Sequence, residues 1–178
     1  LDRRAREKRL EAPHPGRRNV DPYGDAVRAR ARNLERQPEG LRVRGSRAVE
    51  FRVMRATLPQ YARSMQRHAT IVYPKDTALL IAYGDVFPGA RVVEGGYGSG
   101  ALSLSLLRAI GPASLGGQLT TYELRVEAKN RADKNVRAYL GEQPHHVVKL
   151  GDIYQGIDER DVDRIVLDVP EPWEVIPH

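Results

Sequence analysis

"VVEGGYGSG", residues 92–100, places four glycines between a pair of valines and the leucine-rich run "ALSLSLLRAI" of residues 101–110. An apolar strand that breaks into glycines and resumes as a helix leaves bare backbone where a ligand can approach closely. No Gly-Lys-Ser/Thr closes the run, which excludes a phosphate-cradling P-loop. Gly96, Gly98 and Ala101 satisfy the permissive dinucleotide pattern GxGxxG/A, so on this stretch alone a NAD-linked reading stays open. So does a plain packing turn that lets strand and helix meet. Glu94 ahead of the glycines tips the balance. An acid there suits a cationic amino-acid ligand, met through ordered water or backbone, and is awkward for a pyrophosphate.

The flanking segments give the architecture. Residues 90–94, 117–123, 145–150 and 162–168 read as apolar strands, with helices expected over 73–84, 101–111 and 125–141. The first helix is expected to start at Asp76 or Thr77 and to end before Gly84. The second presents Leu102, Leu106 and Ile110 on one face, and the third Val126, Ala132, Val136, Tyr139 and Leu140. This alternation means a parallel sheet covered by helices: an α/β, Rossmann-like domain. Upstream, residues 48–56 alternate as a strand and "LPQYARSM" reads as a short helix; residues 1–40 are turn-rich and irregular, with short strands at best. A doubly wound sheet needs strands beyond the fourth, which otherwise remains an exposed edge. We therefore expect the chain to be a piece of a longer protein.

Composition narrows the partners. The 178 residues carry a net charge of +6, unevenly spread: residues 1–68 hold 18 Lys and Arg against 8 Asp and Glu, the remainder 11 against 15. The arginine-rich half reads either as a solvated arm or as a polyanion-binding module beside an acidic catalytic domain. Cysteine is absent, which excludes disulfides and thiolate metal sites. The N-terminus lacks the apolar core of a signal peptide, and no apolar run approaches the roughly 18 residues of a membrane span. The expected location is cytoplasmic. Spacings of the five histidines support no metal site, and His68 reads as a loop residue near Arg67.

Three further acids fall at strand ends. Glu123 closes the second strand and is placed to hold a ribose; Asp152 follows the third, where a carboxylate can accept an adenine amino group. Asp168 opens "DVPEPW", whose prolines fix a loop and whose Trp173 supplies an aromatic rim. Asp168 as a helix N-cap and Trp173 as core are the plainer alternatives. With Glu94 before the glycines, this set favours S-adenosylmethionine.

Taken together, "RHATIVYPKD", "PGARVVEGGYGSGALSLSLLRAIGP", "YELR", "GDI" and "LDVPEPWEV" resemble the tRNA (adenine-N1)-methyltransferase family that modifies the T-loop adenosine at tRNA position 58. The resemblance is strongest from Met65 to Trp173. It implies a class I S-adenosylmethionine-dependent methyltransferase domain over 65–178, lacking its C-terminal strands, after a tRNA-binding β-domain remnant over 1–64. Gly96, Gly98, Ser99, Gly100, Ala101 and Leu102 would cradle the methionine part of the cofactor, with Glu94 beside them. Glu123 would take the ribose and Asp152 the adenine. Asp168 would face both cofactor and target base, and Tyr73 would lie near that base. A homotetramer, no metal and no membrane are further implications. Ala56 for a usual proline and Gly95 for a usual alanine depart from the family pattern. The rival readings are a non-catalytic tRNA-binding paralogue or fragment and, behind it, the NAD-linked oxidoreductase.

Overall fold

The structure, a computed structural model, describes residues 38–44, 50–67 and 70–177. The irregular reading of residues 1–37, the start of the strand expected over 48–56, and His68 lie outside the described residues. The chain divides into two compact units, Leu1–Thr57 and Leu58–His178.

In the first unit, β1 (Arg42–Arg44) pairs antiparallel with β2 (Glu50–Arg52). Arg42 stands opposite Arg52, Val43 opposite Phe51 and Arg44 opposite Glu50. Alternation along each strand puts Val43 and Phe51 on one face and the three arginines with Glu50 on the other. The second strand is shorter than its sequence pattern. Its pairing ends at Val53, whose N–H reaches the Leu41 carbonyl at 2.9 Å and whose carbonyl accepts Gly40 N–H at 2.8 Å, because the opposite segment turns at Glu39–Gly40.

The second unit contains α1 (Leu58–Ser64), α2 (Pro74–Tyr83), β3 (Arg91–Gly95), α3 (Ala101–Ile110), β4 (Gln118–Glu123), α4 (Val126–Leu140), β5 (His146–Leu150) and β6 (Arg164–Leu167). Its four strands are parallel, in the order β5-β4-β3-β6. This is the expected Rossmann-like α/β sheet, with β6 at an edge and Ile165 half exposed on it. Successive residues of β3 face opposite ways. Val92 joins Leu119, Leu104, Leu106 and Ile110 in the core under the helices, while Val93 joins Tyr122, Ile153 and Val175 on the other face. Burying each such side chain contributes about 1.5–3 kcal/mol, so α3, apolar almost all round, anchors the layer.

Two local expectations fail for identifiable reasons. The cap of α2 is Tyr73, not Asp76 or Thr77. Pro74 lacks an N–H and has its φ fixed, so it is best placed in the first helical turn, which moves the start forward. Asp76 then sits in that turn, where the helix dipole favours an acid. On α4, Val126 is 46% exposed at the first turn, whereas Asn135 is buried between Ala132 and Val136. A polar residue occupies a place that hydrophobic periodicity alone would not give it.

Parallel pairing brings the C-terminal ends of β3, β4, β5 and β6 to one edge. After β3 the chain crosses to β4 on one side, while β6 lies on the other. Ligands of open α/β sheets bind at such a reversal.

Candidate functional site

The glycine turn follows β3. Gly96, Gly98 and Gly100 have φ of 91°, 54° and 83°, a region that residues with a Cβ rarely adopt. Each has its own neighbour. A Cβ at Gly96 would run into the backbone carbonyl of Asp168, and one at Gly100 would lie 3.0 Å from Val136 and 3.3 Å from the Ala132 carbonyl. At Gly98 it would meet nothing within 4 Å, so that glycine borders open space. Thus the turn is squeezed between the β6 end and α4 and open at its middle. Gly95 is a different case: a Cβ there would come within 2.8 Å of the tips of Ile153 and Leu167, which fill the space that alanine takes in the family pattern.

Hydrogen bonds hold the turn from beneath. Gly96 N–H donates to the Tyr122 carbonyl at 3.0 Å, and Asp168 N–H to the Gly95 carbonyl at 2.8 Å. Glu123 is buried at the end of β4; its carboxylate accepts Gly98 N–H at 3.1 Å and Arg125 N–H at 3.0 Å. The first bond of α3 runs from Leu104 N–H to the Gly100 carbonyl, so the N–H groups of Ala101, Leu102 and Ser103 precede the helical ladder. Ser99, Ala101 and Leu102 are buried, and within the turn Gly96 and Gly98 keep partial exposure.

Glu94 lies under the turn with no exposed surface. Its Oε2 accepts the Ser103 hydroxyl at 2.6 Å and the Thr121 hydroxyl at 2.7 Å, while Oε1 is buried without a partner. Burial pushes the carboxyl up to about 7; the two hydroxyls oppose that shift and the Asp168 carboxylate adds to it. Beyond Thr121, the hydroxyl lies 3.0 Å from His146 Nε2, and the His146 ring stands edge-on to Tyr97. Burial depresses His146 to about 4, with Lys129 and His145 acting in the same direction and Asp133 against it. Ser103, Thr121 and His146 were not read as site residues from the sequence. Only the register shows that Glu94 pairs directly with Thr121, and no local pattern in the sequence marks it.

The remaining expected residues divide. Asp152 follows β5 and accepts Tyr154 N–H at 3.0 Å, capping a short 3-10 turn. Asp168 follows β6 at the rim, and its partial burial raises its carboxyl above the usual range. It caps no helix, and Trp173 is 61% exposed, so neither the cap nor the core alternative holds. Glu94, Glu123, Asp152 and Asp168 therefore share one edge with the glycine turn. Tyr73 is 44% exposed at the start of α2, and no hydrogen bond or ring contact among the described residues joins it to Asp168 or to the turn.

The residues present fit S-adenosylmethionine. An unpartnered carboxylate oxygen below a turn of open backbone favours positive charge above it. Glu94 has no exposed surface, so it would act through the turn rather than by touching a ligand.

Glu94 also makes a pH-dependent contribution to folding. Its folded pKa lies above its unfolded value, so the folded state binds the extra proton and stability falls as pH rises from about 4.5 to about 7. Glu94→Gln removes this dependence. Relative to wild type it should gain on the order of 3 kcal/mol across that window and nothing further above it. Urea denaturation of both proteins at several pH values checks this; parallel stability curves would show that Glu94 does not titrate there.

Residues 51–178 match the family described as tRNA methyltransferase complex GCD14 subunit. The chain is 39% identical over 145 residues to the tRNA (adenine(58)-N(1))-methyltransferase TrmI of Thermus thermophilus, covering 80% of this chain and 54% of that protein. It is 30% identical over 185 residues to the tRNA (adenine(57)-N(1)/adenine(58)-N(1))-methyltransferase TrmI of Methanocaldococcus jannaschii, covering 90% and 64%. Two crystal structures are similar in fold. A SAM-dependent O-methyltransferase from Thermotoga maritima gives a TM-score of 0.73 at 33% identity, covering 82% of this chain and 53% of that one. The tRNA (m1A58) methyltransferase TrmI of Aquifex aeolicus gives 0.65 at 25%, covering 79% and 53%. The chain spans about half the length of the Thermus relative, and of both crystallised proteins. None of these relatives favours a NAD-linked oxidoreductase. With a family match over residues 51–178 and 39% identity across most of its length, the chain belongs to the tRNA methyltransferase family that includes the tRNA (adenine-N1)-methyltransferases.

Proposed function

We propose that this protein methylates N1 of an adenine in the T-loop of tRNA, with S-adenosylmethionine as donor. The observation that carries the proposal is the gathering of Glu94, Glu123, Asp152 and Asp168 around a glycine turn at one sheet edge. When bound, S-adenosylmethionine supplies an electrophilic methyl group on a sulfonium. The backbone of residues 96–102 would hold its methionine part, Glu123 its ribose hydroxyls and Asp152 its adenine. Glu123 already spends one bond from each oxygen on Gly98 and Arg125, so a ribose would use its remaining lone pairs.

Asp168 carries the chemistry that belongs to this chain. Alkylation at N1 leaves the adenine cationic, so a fixed carboxylate at the rim stabilises the product-like transition state more than the bound base. Its backbone is braced by Gly95 and packed on Gly96, which fixes the loop that carries the carboxylate relative to the glycine turn. Tyr73 is proposed to flank the base from the start of α2. A T-loop adenine must leave its stack before N1 is reachable. Residues 1–64 are proposed to hold the tRNA and residues 65–178 the cofactor. Assembly with further subunits belongs to the same proposal; the resemblance implies a homotetramer, and relatives carry the words "complex" and "catalytic subunit".

Asp168→Asn keeps size and loses charge. In the full-length protein it should lower single-turnover formation of 1-methyladenosine in tRNA by about 10²–10³-fold, the loss typical of one preorganised electrostatic group, with tRNA affinity little changed. Mass spectrometry of digested tRNA reads the product. A wild-type rate in the variant would make Asp168 structural. Wild type that binds tRNA without methylating it would favour the non-catalytic reading, and methyl transfer to oxygen would favour the chemistry named for the Thermotoga protein.

The hairpin supplies the test for tRNA contact. Arg42 and Arg52 are exposed and directly opposite, a like-charge pair that destabilises a bare hairpin and that a phosphate relieves. The double variant Arg42→Ala, Arg52→Ala should weaken tRNA binding and reduce the slope of log K against log salt by about 1–2. Fluorescence anisotropy at several salt concentrations measures it, and an unchanged slope removes the hairpin from the interface.

A further inference from the structure

Asn135 is the one polar side chain that α4 buries, and its amide group is fully committed. Nδ2 donates to the Ser99 carbonyl at 2.9 Å and to the Gln66 carbonyl at 2.9 Å. Met65 Sδ lies 3.6 Å from the same nitrogen, so three acceptors share the two amide protons, and the carbonyls hold the shorter bonds. The Asn135 backbone carbonyl accepts the Tyr61 hydroxyl at 2.9 Å. One residue therefore joins three parts of the chain. Ser99 belongs to the glycine turn, Gln66 to the segment that leads toward Tyr73 and α2, and Tyr61 to α1.

The neighbours of Asn135 grip the same turn. Ala132 and Val136 pack where Gly100 has no side chain, and Asp133 accepts the Tyr97 hydroxyl at 3.1 Å. These contacts press α4 against the turn. Asn135 also ties it to Gln66, just after α1. A hydrophobic residue of similar size would fill the space but remove both donors and leave the buried Ser99 carbonyl without its Asn135 partner, at about 1–3 kcal/mol. Packing alone would be served by leucine.

We propose that Asn135 is a positioning residue for methyl transfer: its amide ties the Ser99–Gly100 turn to Gln66, just after α1, and so holds the cofactor turn in one geometry. The proposal rests on the reading that S-adenosylmethionine binds at the glycine turn. Asn135→Asp has nearly the same shape, but it replaces both donors with an acceptor facing two carbonyl oxygens. The loosened turn then binds the cofactor weakly even when the domain remains folded.

The test uses the full-length protein. Calorimetry measures S-adenosylmethionine affinity, and single-turnover assays measure methylation, at a temperature where circular dichroism shows each variant folded. Tyr61→Phe is the control, because it removes the hydroxyl bond to α4 but leaves the Ser99 and Gln66 bonds intact. Asn135→Asp is expected to weaken cofactor binding at least tenfold and to slow methylation at saturating cofactor. Tyr61→Phe is expected to lower the melting temperature without changing cofactor affinity. Should Asn135→Asp fail to fold, nitrogen-15 spectra of wild type decide. Both side-chain amide protons of Asn135 should be protected from exchange and shift on addition of S-adenosylmethionine. Wild-type affinity in a folded Asn135→Asp variant, or amide protons that exchange freely and ignore the ligand, overturns the proposal. Wild type that binds no S-adenosylmethionine overturns the cofactor reading itself.

Discussion

The contact on which the site depends is that of Gly96 with the carbonyl of Asp168, an approach open only to a residue without a side chain. It seats the loop after β6 directly on the loop after β3. The loop that bears the carboxylate proposed to face the target base is thereby fixed against the backbone proposed to hold the cofactor. Backbone bonds reinforce the seat, from Asp168 N–H to Gly95 and from Gly96 N–H to Tyr122. Methyl transfer needs alignment more than chemical assistance, and fixed backbone is the means to alignment that costs least on binding. The Gly100 contact with α4 does the same on the opposite side of the turn.

Electrostatics follow from that geometry. Burial raises both carboxyls, Glu94 and Asp168, and the Asp168 carboxylate adds to the rise of Glu94. Two acids beside open backbone make a place where a cation is welcome and a pyrophosphate is not. The opposite face of the sheet carries its own polar clamp. Tyr122 donates to Glu159 at 2.6 Å, and Lys149 bridges Glu159 and Asp158. Burial alone would raise Glu159, but hydrogen bonds from Lys149 and Tyr122 outweigh it and hold the carboxyl low. The clamp ties the segment before β6 to β4 and β5, and so steadies the strand that ends in Asp168.

The sheet, its helices and the four strand-end acids were legible because each leaves a local mark. Alternation, glycine and proline punctuation, and an acid within two residues of a strand's end are all readable over a few positions. Asn135 was not legible: in a helix that reads "RADKNVRAYL" it looks like any solvated polar residue, and only its distant partners Ser99 and Gln66 explain its burial. The start of α2 was misplaced because two plausible caps lay just inside it, and the fixed φ of Pro74 outweighed both. Glu94 was legible as an acid near the turn but not as a fully buried one. Its partners come from α3 and from a neighbouring strand, and strand adjacency is a tertiary fact.

The account's central claim, that the C-terminal edge of this sheet holds S-adenosylmethionine against the glycine turn, is tested most directly by a crystal structure of the protein grown with saturating S-adenosylmethionine. The predicted result is ligand density along the backbone of Gly96, Gly98 and Gly100, with its ribose at Glu123 and its adenine at Asp152. Density instead in the cavity of about 540 Å³ bordered by Ile165, Val175 and Ile176, with the glycine turn left empty, would contradict it.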